Sequence, residues 1–224
     1  MDELSTSNIG IEPKYTDVKL FFQDEASFCL ISDPKSCWCL KGTRPVINTL
    51  RAREFSTVFG AVEPKTGDFF YTIEKPKPKP PNKKDGRKTK EQLYQEFEHE
   101  RQEKKLRKGE KSRQMNNFMQ KLANNYPNSK ILLICDNAWY HKSKYIVVPP
   151  NITLMFIPPA TPEMNPIEQI WKEVRIRGIH NKHFKNMDDL INKLKEIFES
   201  IPAKTYQSIT QRDWIMQCFK SEAK

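Results

Sequence analysis

The stretch LLICDNAWYH, residues 132–141, decides the fold because an apolar run ends there on an acidic residue. Residues 130–135 have the apolar density of a buried strand, and Asp136 and Asn137 follow directly. A buried, ionised carboxylate is costly without a partner, so a metal ion, a helix N-terminus or an arginine is expected beside Asp136. Of these three partners, only the metal would make the chain an enzyme.

The composition indicates one globular domain. The chain has 224 residues, 37% of them hydrophobic and 11% aromatic, so its mean hydropathy of −0.75 must come from charged segments. No apolar run approaches the roughly 18 residues that span a bilayer, and the first residues do not resemble a signal peptide. The five cysteines form no disulfide pattern, which is typical of a reducing compartment.

The positive charge is concentrated in one segment. The net charge is +10, and residues 75–113 hold 15 Lys and Arg against 7 Asp and Glu, a net +8. Alternating Lys and Pro in KPKPKP, residues 75–80, hold cations in an extended row that would suit DNA phosphates. A solvated spacer or a dimer contact remains an alternative for this segment. The predicted DNA-binding residues are Lys75, Lys77, Lys79, Lys83, Lys84 and Arg87.

Hydrophobic patterning predicts strands first and helices later. Apolar density indicates a strand over residues 18–28, and the turn sequence PKTG indicates a β-hairpin over residues 54–74. A long or broken helix is predicted over residues 88–125, interrupted at Gly109. The order β-β-β-α-β-β followed by helices predicts an α/β layered domain. The later elements are strands over 130–135 and 151–158 and helices over 165–178, 190–198 and 213–219.

Three carboxylates are candidates for chemistry. Asp24 and Asp136 are predicted at the ends of apolar strands, where an open sheet presents functional groups. Glu168 lies in NPIEQIW, where Asn165 would be the helix N-cap and Pro166 the first helical residue. Glu168 would then close a capping box, so its spacing alone leaves capping and catalysis both open.

Two motifs resemble a known enzyme family. The segments DNAWYH (136–141) and IPPATPEMNPIEQIW (157–171) resemble the second and third acidic motifs of D-D-E transposases. The similarity is to the bacterial insertion-sequence branch of the Tc/mariner superfamily. FFQDEASF (21–28) with the later KGTRP (41–45) resembles the first acidic motif of that family. The resemblance implies an RNase H-like fold, with a mixed sheet of three antiparallel strands and then two parallel strands, flanked by helices.

The same resemblance implies a mechanism and a set of site residues. Asp24, Asp136 and Glu168 would be the catalytic and metal-binding triad, holding two Mg²⁺ ions for which Mn²⁺ would substitute. One step would hydrolyse a strand at the transposon end, and the next would join the freed 3′-hydroxyl to target DNA. Asn137, His141 and Asn165 would support the site. Glu25 and Trp171 are interpreted as structural, since Glu25 points to the sheet face opposite Asp24.

The resemblance also implies partners and boundaries. The chain would bind transposon-end and target DNA as a homodimer, at the nucleoid in the cytoplasm if the host is prokaryotic. Members of the family begin with a helix-turn-helix module, which we expect to be encoded separately or missing here. Residues 1–14 would be a lead, 15–200 the catalytic domain with the basic insertion, and 201–224 a helical tail. A nuclease without strand transfer and a non-catalytic DNA-binding module are the alternatives.

Overall fold

The protein is an α/β domain built on one sheet. The computed structural model describes residues 15–30, 35–36, 38–43, 54–75, 95, 109–159 and 161–220. No helix in these residues is long and apolar enough to cross a membrane. The strands are β1 (Asp17–Cys29), β2 (Phe55–Glu63), β3 (Asp68–Glu74), β4 (Ser129–Cys135) and β5 (Ile152–Phe156). The helices are α1 (Glu110–Asn125), α2 (Glu168–Gly178), α3 (Met187–Ser200), α4 (Ala203–Thr210) and α5 (Asp213–Lys220).

The five strands have the predicted mixed arrangement. Their order across the sheet is β3-β2-β1-β4-β5. The first three strands pair antiparallel, and β4 and β5 extend the sheet in parallel from β1. This confirms the predicted RNase H-like sheet, in which β1 lies at the centre between its hairpin neighbour β2 and the later strand β4.

Helices cover both faces of the sheet. On one face, α1 packs its buried side chains, including Phe118 and Leu122, against Phe21 and Phe59 of the strands. On the other face, α2 to α5 enclose the larger cluster, in which Phe22, Trp171 and Tyr206 are buried. Alternating residues of β1 therefore enter different cores, as the two-residue period of a strand requires.

The hairpin turn between β2 and β3 depends on Gly67. This residue has a φ of +79°, and its N–H donates to the Glu63 carbonyl at 2.8 Å. A Cβ at Gly67 would lie 1.9 Å from the Ala203 carbonyl oxygen, at the start of α4. Glycine is thus required both by the backbone conformation and by the close approach of α4.

Several predicted boundaries differ from the structure. Asp24 does not end a strand, because β1 continues to Cys29 by pairing with β2; only its pairing with β4 stops, at Phe22. Of the helix predicted over 88–125, α1 accounts for the C-terminal part, and residues 88–94 and 96–108 lie outside the described residues. Helix α4 lies within the predicted helical tail, but its bounds were not predicted, and it buries Tyr206 against Phe69 of β3 with ring centroids 4.7 Å apart.

The predicted helix cap at Asn165 is wrong. Helix α2 begins at Glu168, after a turn in which the N–H groups of Glu168 and Gln169 donate to the carbonyls of Asn165 and Pro166. The Asn165 amide instead donates to the carbonyl oxygen of Gln23 at 2.9 Å. A tertiary hydrogen bond to β1 therefore replaces the expected local cap, and Glu168 is the first residue of the helix rather than the third.

Candidate active site

Asp24 lies at the centre of the sheet beside helix α2. Its Oδ2 accepts a hydrogen bond from the indole nitrogen of Trp171 at 3.0 Å. Burial raises the pKa of Asp24 to about 7, and the charges of Glu25 and Asp136 act in the same direction, against the hydrogen bond from Trp171. Asp24 is thus a carboxyl group whose ionised form the protein alone stabilises poorly.

Gly60 makes room for the Trp171 indole. Gly60 of β2 is the pairing partner of Asp24 on β1. A Cβ at Gly60 would lie 2.6 Å from Cη2 of Trp171, so any larger residue would push the indole away. The glycine therefore lets the ring lie against the sheet at the level of Asp24.

Asp136 lies at the end of β4, level with Asp24. The parallel register pairs Phe22 with Ile134, so two further residues on each strand bring Asp24 beside Asp136. Neighbouring strands are about 4.8 Å apart, which makes these two acids close neighbours. Oδ1 of Asp136 accepts the N–H of Ala138 at 3.0 Å, and the side chain remains 48% exposed.

His141 connects Asp136 to a second acid, Glu25. Its Nδ1 lies 3.0 Å from Oδ1 of Asp136, and its Nε2 lies 3.4 Å from Oε1 of Glu25. Burial alone would lower the pKa of His141, but the hydrogen bond and charge of Glu25, with Asp136, raise it. The cationic imidazolium, which can donate from both ring nitrogens, is therefore favoured between the two carboxylates.

Glu25 is held on the opposite sheet face from Asp24, as predicted, but it belongs to a polar network. It accepts hydrogen bonds from the Tyr140 hydroxyl and, at 2.7 Å, from the Gln23 amide. Burial would raise the pKa of Glu25, whereas the hydrogen bonds from His141, Tyr140 and Gln23 lower it below its ordinary value. Sequence reasoning missed this network; the adjacent Tyr140 and His141, following an acid that ends a strand, were its only local signal.

The three predicted acids border one cleft. It has a volume of about 320 Å³, and Asn137 and Asn165 join Asp24, Asp136 and Glu168 in its wall. The Oδ1 atom of Asn165 is buried and has no hydrogen-bond partner among the described residues. His141 is not part of the wall and acts on it through Asp136. The other lining residues are Ala138, Ile157, Pro158, Pro159 and Thr161.

Comparison with known proteins shows the family. A family model described as DDE superfamily endonuclease matches residues 79–191, half of the chain. The chain belongs to this DDE endonuclease family. A Sinorhizobium fredii (strain NBRC 101917 / NGR234) protein named y4pE/y4sA is 36% identical to this DDE endonuclease over 85 residues. Those residues are 37% of this chain and 63% of the relative, so the match spans less than two thirds of that protein.

Solved structures show that this chain shares its fold with a transposase. The Mos1 strand transfer complex aligns with a TM-score of 0.54 at 13% identity, over 92% of this chain and 55% of that one. The Mos1 transposase paired-end complex with the left transposon end aligns with a TM-score of 0.55 at 14% identity, over 86% and 51%. The chain therefore spans about half the length of these Mos1 chains.

The cleft has the donors that a divalent cation requires. The family implies such an ion, and carboxylate and amide oxygens are the ligands that Mg²⁺ and Mn²⁺ prefer. The donor chemistry of the cleft fits. Within the residues that the structure describes, however, no three His, Cys, Asp or Glu side chains are close enough to form a metal site by themselves.

The predicted DNA-binding residues fall mostly outside the described residues. Lys75 follows β3, and its ammonium pairs with Oδ1 of Asp188 on α3 at 2.8 Å, with both side chains exposed. Lys77, Lys79, Lys83, Lys84 and Arg87 lie outside the described residues. Their contact with DNA stays a prediction.

Proposed function

We propose that this chain is the catalytic domain of a DNA transposase, which cuts phosphodiesters at transposon ends and joins the resulting 3′-hydroxyl to target DNA. One observation carries the proposal: Asp24, Asp136 and Glu168, which come from three distant parts of the chain, border a single cleft. The cleft is open on one side, since Asp136 is 48% exposed, and a DNA strand can therefore reach the carboxylates.

Each acid has a defined part in this proposal. Asp24, Asp136 and Glu168 would hold two Mg²⁺ ions, for which Mn²⁺ would substitute. Bound there, the ions would supply positive charge to the attacked phosphate and to the oxygens that enter and leave it. His141 would keep Asp136 oriented, and Asn165 would fix the start of α2 against β1 through Gln23. Asn137, in the wall of the cleft, would position a DNA phosphate.

Two transposon ends must be brought together for such a reaction, so we propose that two copies of the chain act on DNA. A helix-turn-helix module, encoded separately or missing, would supply recognition of specific ends. The catalytic domain would comprise residues 15–200 with the basic insertion, preceded by a lead over 1–14 and followed by a helical tail over 201–224. In a prokaryotic host it would work at the nucleoid.

Cleavage and joining can be tested separately. Purified protein is incubated with Mg²⁺ or Mn²⁺ and a labelled transposon end, and nicking and joining into a plasmid are both measured. Asp136→Ala should abolish both, whereas Glu163→Ala should not, because Glu163 is an exposed acid outside the cleft wall. Nicking without joining would show that the chain is a nuclease and not a transposase. Nicking that does not depend on a divalent ion, or full activity of Asp136→Ala, would overturn the proposal.

A further inference from the structure

The loop that follows Asp136 carries an exposed tryptophan beside the cleft. Asn137 and Ala138 line the cleft, and Trp139 comes next with 68% of its surface exposed. Its ring makes an edge contact with the ring of Tyr140, and the two ring centroids are 5.8 Å apart. Three residues of extended chain span at most about 10 Å, so the backbone of Trp139 lies within about that distance of Asp136. A large apolar ring is thus exposed to solvent on the residue that follows the cleft wall.

The loop over residues 137–150 is fixed by helix α1. Ser112 donates a hydrogen bond to the Tyr140 carbonyl at 3.2 Å, next to Trp139. Asn116 donates to the Tyr145 carbonyl at 2.7 Å, further along the same loop. Trp139 is therefore part of an anchored segment, which reduces the conformational entropy that a ligand must remove on binding.

The surroundings of Trp139 are cationic. The loop over 137–150 contains two lysines and no acidic residue. Lys111 of α1 lies 5.0 Å from the ring centroid of Tyr140, and Lys142 lies 5.0 Å from that of Phe156. Lys144 lies 5.4 Å from the ring of Tyr145. Within the described part of the chain, none of these three lysines forms an ion pair with a carboxylate.

We propose that Trp139 is a base-stacking residue for an unpaired nucleotide next to the phosphodiester held in the cleft. This inference rests on the proposed function. An exposed aromatic ring flanked by cations is the combination that binds single-stranded nucleic acid, since every base has a face to stack and every nucleotide carries a phosphate. The reacting phosphate would lie in the acidic cleft, where it needs a metal ion. The neighbouring phosphates of the strand would bind Lys111, Lys142 and Lys144.

The occupant favoured by these observations is a DNA strand rather than a protein. Lysine is depleted at protein-binding surfaces, whereas the loop that carries Trp139 has two lysines, and Lys111 lies over the neighbouring Tyr140 ring. Charge complementarity therefore selects a polyanion that also offers flat rings.

The test compares two DNA probes of one sequence, a fully paired duplex and a duplex with a single-stranded 3′ overhang carrying 2-aminopurine. Binding is measured in EDTA, where no cleavage occurs. Stacking contributes about 1–3 kcal/mol per base, so Trp139→Ala should bind the overhang about 5- to 100-fold more weakly and abolish quenching of 2-aminopurine. Trp139→Phe should keep most of both signals. Duplex binding should change little in either variant.

Trp38→Ala is the matched control, because Trp38 is fully exposed and is not part of the cleft wall. Unchanged melting temperatures of both alanine variants would show that neither loses its fold. Equal overhang affinity and quenching in Trp139→Ala and wild type would overturn the stacking role while leaving the proposed function intact. Failure of the wild type to bind any DNA would overturn both.

Discussion

The indole nitrogen of Trp171 donates a hydrogen bond to Oδ2 of Asp24 at 3.0 Å, which links helix α2 to the central strand. Trp171 lies one turn after Glu168 on the same helix. The first and third acids of the candidate triad are therefore held relative to each other by one side chain. The Trp171 ring also packs against Phe28 and Phe69, so its position is fixed by the core.

Trp171→Phe should weaken metal binding at the cleft more than it lowers the stability of the fold. The phenyl ring keeps most of the packing but cannot donate to Asp24, and a hydrogen bond to a charged group contributes about 1.5–3 kcal/mol. We expect the Mg²⁺ concentration for half-maximal cleavage to rise about 10- to 100-fold. Phe28→Leu is the control, because Phe28 contacts Trp171 without a polar group for Asp24. An identical metal dependence in Trp171→Phe and wild type would contradict this role.

Asp24→Asn should stabilise the metal-free protein at neutral and alkaline pH. The pKa of Asp24 is about 7 in the folded protein, against an ordinary value of 3.8. Between these values the unfolded chain loses the proton first, so the stability contributed by this group falls as the pH rises and is lowest above pH 7. Each pKa unit corresponds to about 1.4 kcal/mol, and we expect Asn to add roughly 1–3 kcal/mol at pH 8.

The measurement is urea unfolding in EDTA at pH 4 and pH 8. The two proteins should be similar at pH 4, where Asp24 is largely protonated in the folded state. A variant that is less stable than wild type at pH 8 would mean that burial does not penalise the Asp24 carboxylate.

Tyr140→Phe should destabilise the protein through Glu25. The Tyr140 hydroxyl donates to this carboxylate, which is only 15% exposed, and its loss should cost about 1.5–3 kcal/mol. Tyr145→Phe on the same loop is the control, since Tyr145 is 46% exposed and should change stability by less than about 0.5 kcal/mol. Equal unfolding free energies for the two variants would remove Tyr140 from the network.

Gly67→Ala should release helix α4 from the hairpin. The new Cβ would meet the Ala203 carbonyl at 1.9 Å in addition to adopting a φ of +79°. Gly42 has a similar φ of +87°, but nothing lies within 4 Å of its Cβ position. Gly42→Ala should therefore cost about 1–2 kcal/mol, and Gly67→Ala at least 1 kcal/mol more by thermal unfolding. Equal losses of unfolding free energy in the two variants would indicate that α4 moves away from the new Cβ without a cost in free energy.

Local pattern was sufficient to predict most of the sheet and insufficient for the polar contacts around the cleft. The apolar runs of β2 and β3, with the turn sequence PKTG between them, predict a hairpin because these signals lie within a few residues. Asn165 shows the limit: its spacing predicts a helix cap, but its amide binds Gln23, which is 142 residues away. A rule based on neighbouring residues cannot predict a contact over that sequence separation.

The candidate site likewise combines residues that the sequence predicts with contacts that it does not predict. The acids Asp24, Asp136 and Glu168 were named from motifs, and the structure places all three around one cleft, while their catalytic roles stay predictions. Glu25 was interpreted as structural from strand alternation, which places it on the correct face. Its contact with His141 could not be predicted, because it depends on the parallel pairing of β1 with β4.

The pairing of β1 with β4 has a consequence during protein synthesis. Asp136 follows a strand that is made over a hundred residues after Asp24, and Glu168 is made later still. A nascent chain shorter than this cannot assemble the cleft, whatever DNA is nearby. The proposed cleavage activity is consequently absent until the chain has been made as far as Glu168.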